Sequence, residues 1–287
     1  MPLNETARRS EPHRGGSSPP SNDAFGQLLR YWRGLRGFSQ LELALEAGVS
    51  SRHVSFIENG RARPSADMVS RLAETLRVPL RERNALLLAA GFAPEYEERS
   101  LATPELSRPR DAIELILRHQ EPYPAFVLSA HWDVVMRNRA SDRVFGWLLR
   151  GRARNPNIMR QVFDDAGLRP LIVNWDEVAG DMLQHLNGQA SCTPADAALI
   201  ALRSEILASP NAPSRTADRS PAPAPLLTAV YARDGRELRF FSTLSTFGTP
   251  YDVTLEELRI ECTFPADAAT DEFCRELAAA DQSTGST

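Results

Sequence analysis

Hydroxyl, amide and guanidinium side chains crowd one stretch of this sequence: Gln40, Ser50, Ser51, Arg52, Ser55, Asn59, Arg61 and Arg63, with Phe56 among them. Groups of these types donate to phosphate oxygens and to base edges. An arginine pairs bidentately with guanine, a serine bonds either base type, and an aromatic ring sits against a thymine methyl. No comparable set points to catalysis. The patterns G-x-S-x-G, H-E-x-x-H, G-x-x-x-x-G-K-[ST] and the dinucleotide fingerprint are all absent. The pairs Asp164-Asp165 and Glu256-Glu257 are neighbours in sequence, so on regular elements they point apart. His185 and Cys192 have no third partner, and His13, His53, His119, His131 and His185 show no ligand spacing. Three cysteines (Cys192, Cys262, Cys274) without a C-x-x-C exclude a disulfide framework or a cysteine zinc site and fit a reducing cytoplasm. The expectation is a protein that is not an enzyme and carries no metal and no obligate cofactor.

The elements that must position these groups are short helices. The chain has 287 residues, 42% apolar and 24% charged, a globular composition with length for one large or two modest domains. No apolar run approaches the ~18 residues of a membrane span, and the first residues show no secretory signal. Net charge is −4, yet residues 23–94 carry ten Arg against seven acidic residues. A basic N-terminal part on an acidic body suits an anion binder. Residues 1–22 read as a disordered arm. Residues 23–94 read as five helices. Phe25, Leu28, Leu29 and Trp32 recur at helical spacing, Ser39 with Glu42 forms a capping box, and Leu41, Ala44 and Leu45 make the second helix's apolar stripe. Ser50 caps the third helix, Asn59-Gly60 ends it, and Pro64-Ser65 opens the fourth.

The run SQLELALEAGVSSRHVSFIENGRARP, residues 39–64, resembles the Cro/repressor type of helix-turn-helix. In that geometry Gly48 permits the turn, Ala44 is small beneath the third helix, and Val49, Val54 and Ile57 face the core. Ser51, Arg52, Ser55 and Phe56 then face outward on a recognition helix, the element that enters the major groove of double-stranded DNA. The resemblance implies backbone contacts for Gln40, phosphate contacts for Asn59, Arg61 and Arg63, and a structural pair between Glu58 and Arg33.

Residues 95–120 read as a connector with a helix near 111–119, the expected route of transmission, followed by a domain over 121–272 and a C-terminal tail over 273–287. Ala125–Ser129 and Trp132–Arg137 flank a two-residue turn, and Leu226–Arg233 and Glu237–Leu244 flank Asp234-Gly235, so both read as β-hairpins. Helices are expected near 139–150, 156–163, 171–187 and 194–208, more strand at Thr249–Thr254 and Leu258–Phe264, and a mobile loop at 211–225. Strands and helices in this order give an α+β domain with an antiparallel sheet.

The stretches RPS (63–65), LAETLRVPLRERNALLLAAGFAP (72–94), HQEPYPA (119–125), WDVV (132–135), Asn138, NWDEVA (174–179) and FGTPYDVTLEEL (247–258) together resemble MmyB-like transcription regulators. The resemblance implies a multi-domain chain, an all-α five-helix helix-turn-helix domain followed by an α+β PAS-like ligand-binding domain. It also implies a small apolar ligand such as a bound fatty acid. Phe126, Leu128, Trp132, Phe145, Met159, Phe163, Trp175, Phe240 and Phe247 are the candidate lining residues. His119, Arg137, Asn138 and Thr249 are candidates for a carboxylate head, and Asn138 is equally placed to be an N-cap. The expected partners are a DNA operator and a second copy of the chain, with no membrane. The rival reading is a constitutive repressor whose C-terminal domain only dimerises.

Overall fold

The computed structural model describes residues 22–213 and 226–284. The expected arm before residue 22 and the expected loop from residue 214 to 225 lie outside the described residues. The chain divides into two compact units: residues up to Val78 with Ala85–Pro94, and Pro79–Asn84 with Glu95 onward.

The first unit is helical. Its elements are α1 (Asn22–Leu35), α2 (Gln40–Glu46), α3 (Ser51–Glu58), α4 (Ala66–Thr75) and α5 (Leu80–Ala89), whose first turn clusters with the second unit. The starts are set locally. Ser39 and Glu42 close a full capping box, and the Ser50 and Ser65 hydroxyls accept from the backbone amides of His53 and Met68. Gly48, at φ 64°, turns the chain between α2 and α3 in the left-handed region. Phe25, Leu29 and Trp32 of α1 meet Leu43 and Ala44 of α2, Val54 and Ile57 of α3, and Val69 and Leu72 of α4 in one buried core. The stripe of α2 differs from the expected one: Leu43 and Ala44 are buried, while Leu41 and Leu45 are 58% and 72% exposed. Leucines at 41, 43 and 45 alternate, and a helix can bury only one side of such a row.

The second unit holds a five-stranded sheet in the order β2-β1-β5-β4-β3, every neighbouring pair antiparallel. The strands are β1 (Ala125–Leu128), β2 (Val134–Arg137), β3 (Ala229–Arg233), β4 (Arg236–Ser245) and β5 (Arg259–Pro265). Asp234 and Gly235, at φ 49° and 77°, make the tight β3–β4 turn that the Asp-Gly pair predicts. The first hairpin has a longer tip than expected, with Trp132 at φ 68°.

Helices α7 (Arg139–Leu148), α8 (Ile158–Phe163), α9 (Trp175–Cys192) and α10 (Ala197–Ala208) share the main core with β1, β3 and β4. Helix α6 (Ser107–His119) covers the other sheet face through Ile113 and Leu117, against Ala125, Val127, Ile260 and Cys262. It starts before Pro109 because a proline is tolerated in a first turn.

Two expectations are corrected. Thr249–Thr254 is no strand: Asp252 accepts from the Thr254 amide and caps a short helix, α11 (Val253–Glu257). The residues from 273 are no tail: α12 (Ala268–Thr284) buries Thr270, Phe273 and Cys274, one helical face, and Phe273 packs edge-on to Trp147.

Two positions give stability tests. A Cβ on Gly26 would lie 2.5 Å from the Glu58 carbonyl oxygen, so α1 and α3 approach as only glycine permits. Gly26→Ala should destabilise the head by about 1–3 kcal/mol. Gly34→Ala, where nothing lies within 4 Å, should stabilise it by about 0.5–1 kcal/mol. Urea denaturation of both variants checks the pair.

Glu82 is fully buried. One carboxyl oxygen accepts from the Ala195 amide at 3.0 Å, and the other has no partner. Burial pushes its pKa up to about 7 from 4.5, opposed by that amide. The folded chain therefore holds a proton that the unfolded chain has released. Stability should fall by up to about 3 kcal/mol as pH rises through this interval, and level off above it. In Glu82→Gln that slope should disappear from the urea midpoints measured against pH.

Candidate nucleic-acid interface and ligand cavity

The surface of the first unit is organised around one buried carboxylate. Glu58, at the end of α3, is 1% exposed. Its oxygens accept from Arg33 Nε at 2.6 Å, Arg33 Nη2 at 3.0 Å and Gln40 Nε2 at 2.7 Å, while Arg33 Nη1 donates to the Phe38 carbonyl at 2.9 Å. Three donors thus tie α1 and α2 to α3, and a fourth ties α1 to the loop before α2. The Glu58 bond holds Arg33 above its ordinary pKa. The expected Arg33–Glu58 pair is present, and Gln40 has joined it.

On α3, Ser51 and Arg52 are exposed and Ser55 and Phe56 half-buried, with the Arg52 guanidinium 5.1 Å above the Phe56 ring. Ser50 is committed as the α3 cap. Asn59 donates to the Ser55 carbonyl at 2.8 Å and ends the helix. Arg61 is exposed. Arg63 also is exposed, yet its Nε and Nη2 donate to the Ala90 carbonyl at 3.3 and 3.2 Å, a tie to the end of α5 that its sequence position did not reveal.

In the second unit a cavity of about 340 Å³ lies between the sheet and α7, α8 and α9. Phe126, Leu128, Trp132, Phe145 and Phe240 line it, as expected, with Val162, Val178, Met182 and Tyr231 added. Met159, Phe163 and Trp175 do not line it. They sit in the filled core, where Phe163 and Trp175 pack edge-on at 5.1 Å. Phe247 packs with the cluster beneath α6, on the opposite sheet face. The expected polar groups lie elsewhere too. Asn138 caps α7 and donates to the carbonyls of Leu117 and Tyr123, Arg137 pairs with Asp142 at the surface, and His119 and Thr249 are exposed.

The polar groups that do reach the cavity come from the middle of the sheet. Arg259, Glu261 and Thr263 alternate along β5 onto the cavity face, with Ser242 opposite Thr263 on β4 and Asp181 and His185 on α9. Burial pushes the Glu261 pKa up, with the Ser242 side chain and the Arg259 charge acting against it. Sequence reasoning missed these residues because alternation on a strand signals one buried face and one in water. A larger groove of about 450 Å³ runs past Leu101, Met136 and Leu258, but its Arg81 is already paired with Glu98 and Glu257.

Residues 109–277 match the family described as MmyB-like transcription regulator ligand binding domain, and residues 29–83 match Helix-turn-helix. The chain belongs to the MmyB-like transcription regulators. It is thus a transcriptional regulator with a helix-turn-helix DNA-binding domain and a ligand-binding domain. The HTH-type transcriptional repressor RghR of Bacillus subtilis is 36% identical over 77 residues, covering 26% of this regulator and 55% of that protein. The uncharacterized HTH-type transcriptional regulator Rv0474 of Mycobacterium tuberculosis is 35% identical over 88 residues, 31% of this chain and 55% of its own length. This regulator therefore spans about half the length of the curated relatives it matches. Among solved structures, the clp gene regulator ClgR from C. glutamicum is similar at 28% identity over 26% of this chain and 96% of that one, with a TM-score of 0.23. Among the described residues no helix is long and apolar enough to cross a membrane.

Proposed function

We propose that this regulator is a one-component transcription factor of the cytoplasm. It reads a two-fold related operator as a homodimer, and an apolar small molecule such as a fatty acid, held in the cavity, changes operator affinity. The observation that carries the reading is a cavity of about 340 Å³, walled mainly by aromatic and aliphatic side chains, in a chain that also matches Helix-turn-helix. On DNA, Ser51, Arg52, Ser55 and Phe56 face base edges. Gln40, Ser50, Asn59, Arg61 and Arg63 stand beside the backbone. The ligand acts only through its different affinities for the DNA-competent and incompetent arrangements.

Native mass spectrometry of the purified chain, followed by solvent extraction, tests the sensing half. A stoichiometric lipid, with operator affinity that changes when it is removed and restored, is the expected result. An empty dimer whose operator binding ignores added fatty acids would make the chain a constitutive repressor in which the second unit only dimerises. For the reading half, Arg52→Ala should cost about 1–3 kcal/mol of operator binding and relax the preference at one base pair. Competition binding against operators varied one position at a time checks it, and an unchanged preference removes Arg52 from base readout.

A further inference from the structure

The chain after residue 94 carries twenty arginines against twenty-eight acidic residues, yet one corner of the second unit is basic. Residues 150–169 hold five arginines and two aspartates. Arg160 is paired with Glu205, and the other four gather with Arg233 around the C-terminal end of α7. Arg233 donates to the Leu148 carbonyl and, at 2.8 Å, to the Arg150 carbonyl. Arg152 donates to the carbonyls of Gly167 and Asp165, and the Ala153 amide reaches the Ala166 carbonyl at 3.0 Å. The loops after α7 and α8 are thus stitched side by side. A Cβ on Gly146 would stand 3.5 Å from Arg154 Nη2, so that side chain lies along α7. Arg169, two residues past Gly167, sits 4.2 Å above the Trp175 ring, its Nε buried and without a partner.

Carbonyls hold a guanidinium in place without neutralising it. Among the described residues Arg150, Arg152, Arg154 and Arg169 make no ion pair, and Arg150 and Arg154 are exposed with no side-chain hydrogen bond. The aspartates of these loops answer little of the charge. Asp164 accepts from the Ala166 amide, Asp165 is exposed, and Asp234 meets Arg233 only at 3.4 Å. Arg233 has also taken the last carbonyls of α7, which covers the negative end of that helix. Positive charges spread over adjoining loops raise the local potential and suit an anion whose charges are spread likewise. A repeating phosphate backbone has that form, and in a transcriptional regulator with a DNA-binding domain it is the backbone of duplex DNA.

We propose that this corner of the second unit is an additional DNA-contacting surface, in which Arg150 and Arg154 bind backbone phosphates while Arg152 and Arg169 add to the positive field. The surface reads no bases, because phosphate contacts carry no sequence information.

The slope of log affinity against log salt counts phosphate contacts, at about 0.9 for each. Fluorescence anisotropy of the full-length protein on a long duplex of arbitrary sequence, repeated over a range of NaCl concentrations, gives that slope. Arg150→Gln combined with Arg154→Gln should make it shallower by about 2 and weaken binding by at least about 10-fold in about 0.1 M salt. Arg150→Lys with Arg154→Lys should keep the slope. An unchanged slope in the glutamine variant would overturn the surface and leave every phosphate contact to the helix-turn-helix. Failure of the unmodified protein to bind the duplex at the lowest salt would overturn it as well. A greater loss on single-stranded RNA than on the duplex would overturn DNA as the partner. Circular dichroism follows folding. If the double variant does not fold, Arg150→Gln alone decides, with a slope shallower by about 1 expected.

Discussion

A strand flanked on both edges and packed on both faces leaves little side for water, and β5 is such a strand. It lies in the middle of the five, between β1 and β4, and each of its faces has its own neighbour. Ile260 and Cys262 meet Ile113 and Leu117 of α6, an ordinary dry contact. Arg259, Glu261 and Thr263 take the opposite face because the side-chain period is two, and that face is the cavity floor. A one-residue slip would bury two charges beneath α6 and hand the cavity an all-apolar floor. Register in β5 therefore decides both the packing of α6 and the chemistry of the cavity.

The DNA-binding unit depends on a smaller version of the same economy. Glu58 ends α3 inside the protein, and its charge is tolerated because Arg33 and Gln40 deliver three hydrogen bonds to it. Removing one partner of such a buried pair typically costs about 3–5 kcal/mol, since the other is left uncompensated. Gly26 lets α1 come close enough for the arrangement to hold. Helix α3 is thus fixed from behind, and its outward residues need only keep the geometry the network imposes.

What could be read in the sequence follows from how local each cause is. Caps are settled within four residues, so Ser39, Ser50 and Asn138 were legible, and so was the Asp234-Gly235 turn. The cavity was half legible. Phe126, Leu128, Trp132, Phe145 and Phe240 line it, while Met159, Phe163 and Trp175 have the same apolar character and fill the core beside it. Nothing in an apolar side chain tells whether its neighbour is another side chain or a space. Phe247 lay in a family-like stretch, but its sheet face depends on pairing with residues far away in sequence. Arg259 was missed for the strongest reason: polar alternation on a strand implies solvent unless the strand is central, and centrality is a property of the whole sheet.

The residues just before β5 show how two adjacent carboxylates can act together. Glu256 accepts from the Leu80 amide at 2.6 Å, and Glu257 binds Arg81 Nε at 2.7 Å, so α11 holds the first turn of α5 with two adjacent carboxylates. Both can serve because they sit at the end of a short helix, where neighbouring residues fan around one turn rather than alternating across a sheet. After Leu258 the chain enters β5, and Arg259 is its first residue on the cavity. Arg259 thus follows Glu257 by two residues, and Glu257 binds Arg81 within the same unit. The helix near 111–119 meets the other face of the sheet through Ile113 and Leu117. A carboxylate on a backbone amide and another on a guanidinium demand distance and direction together, so this pair fixes residues 80 and 81 more narrowly than an apolar contact would.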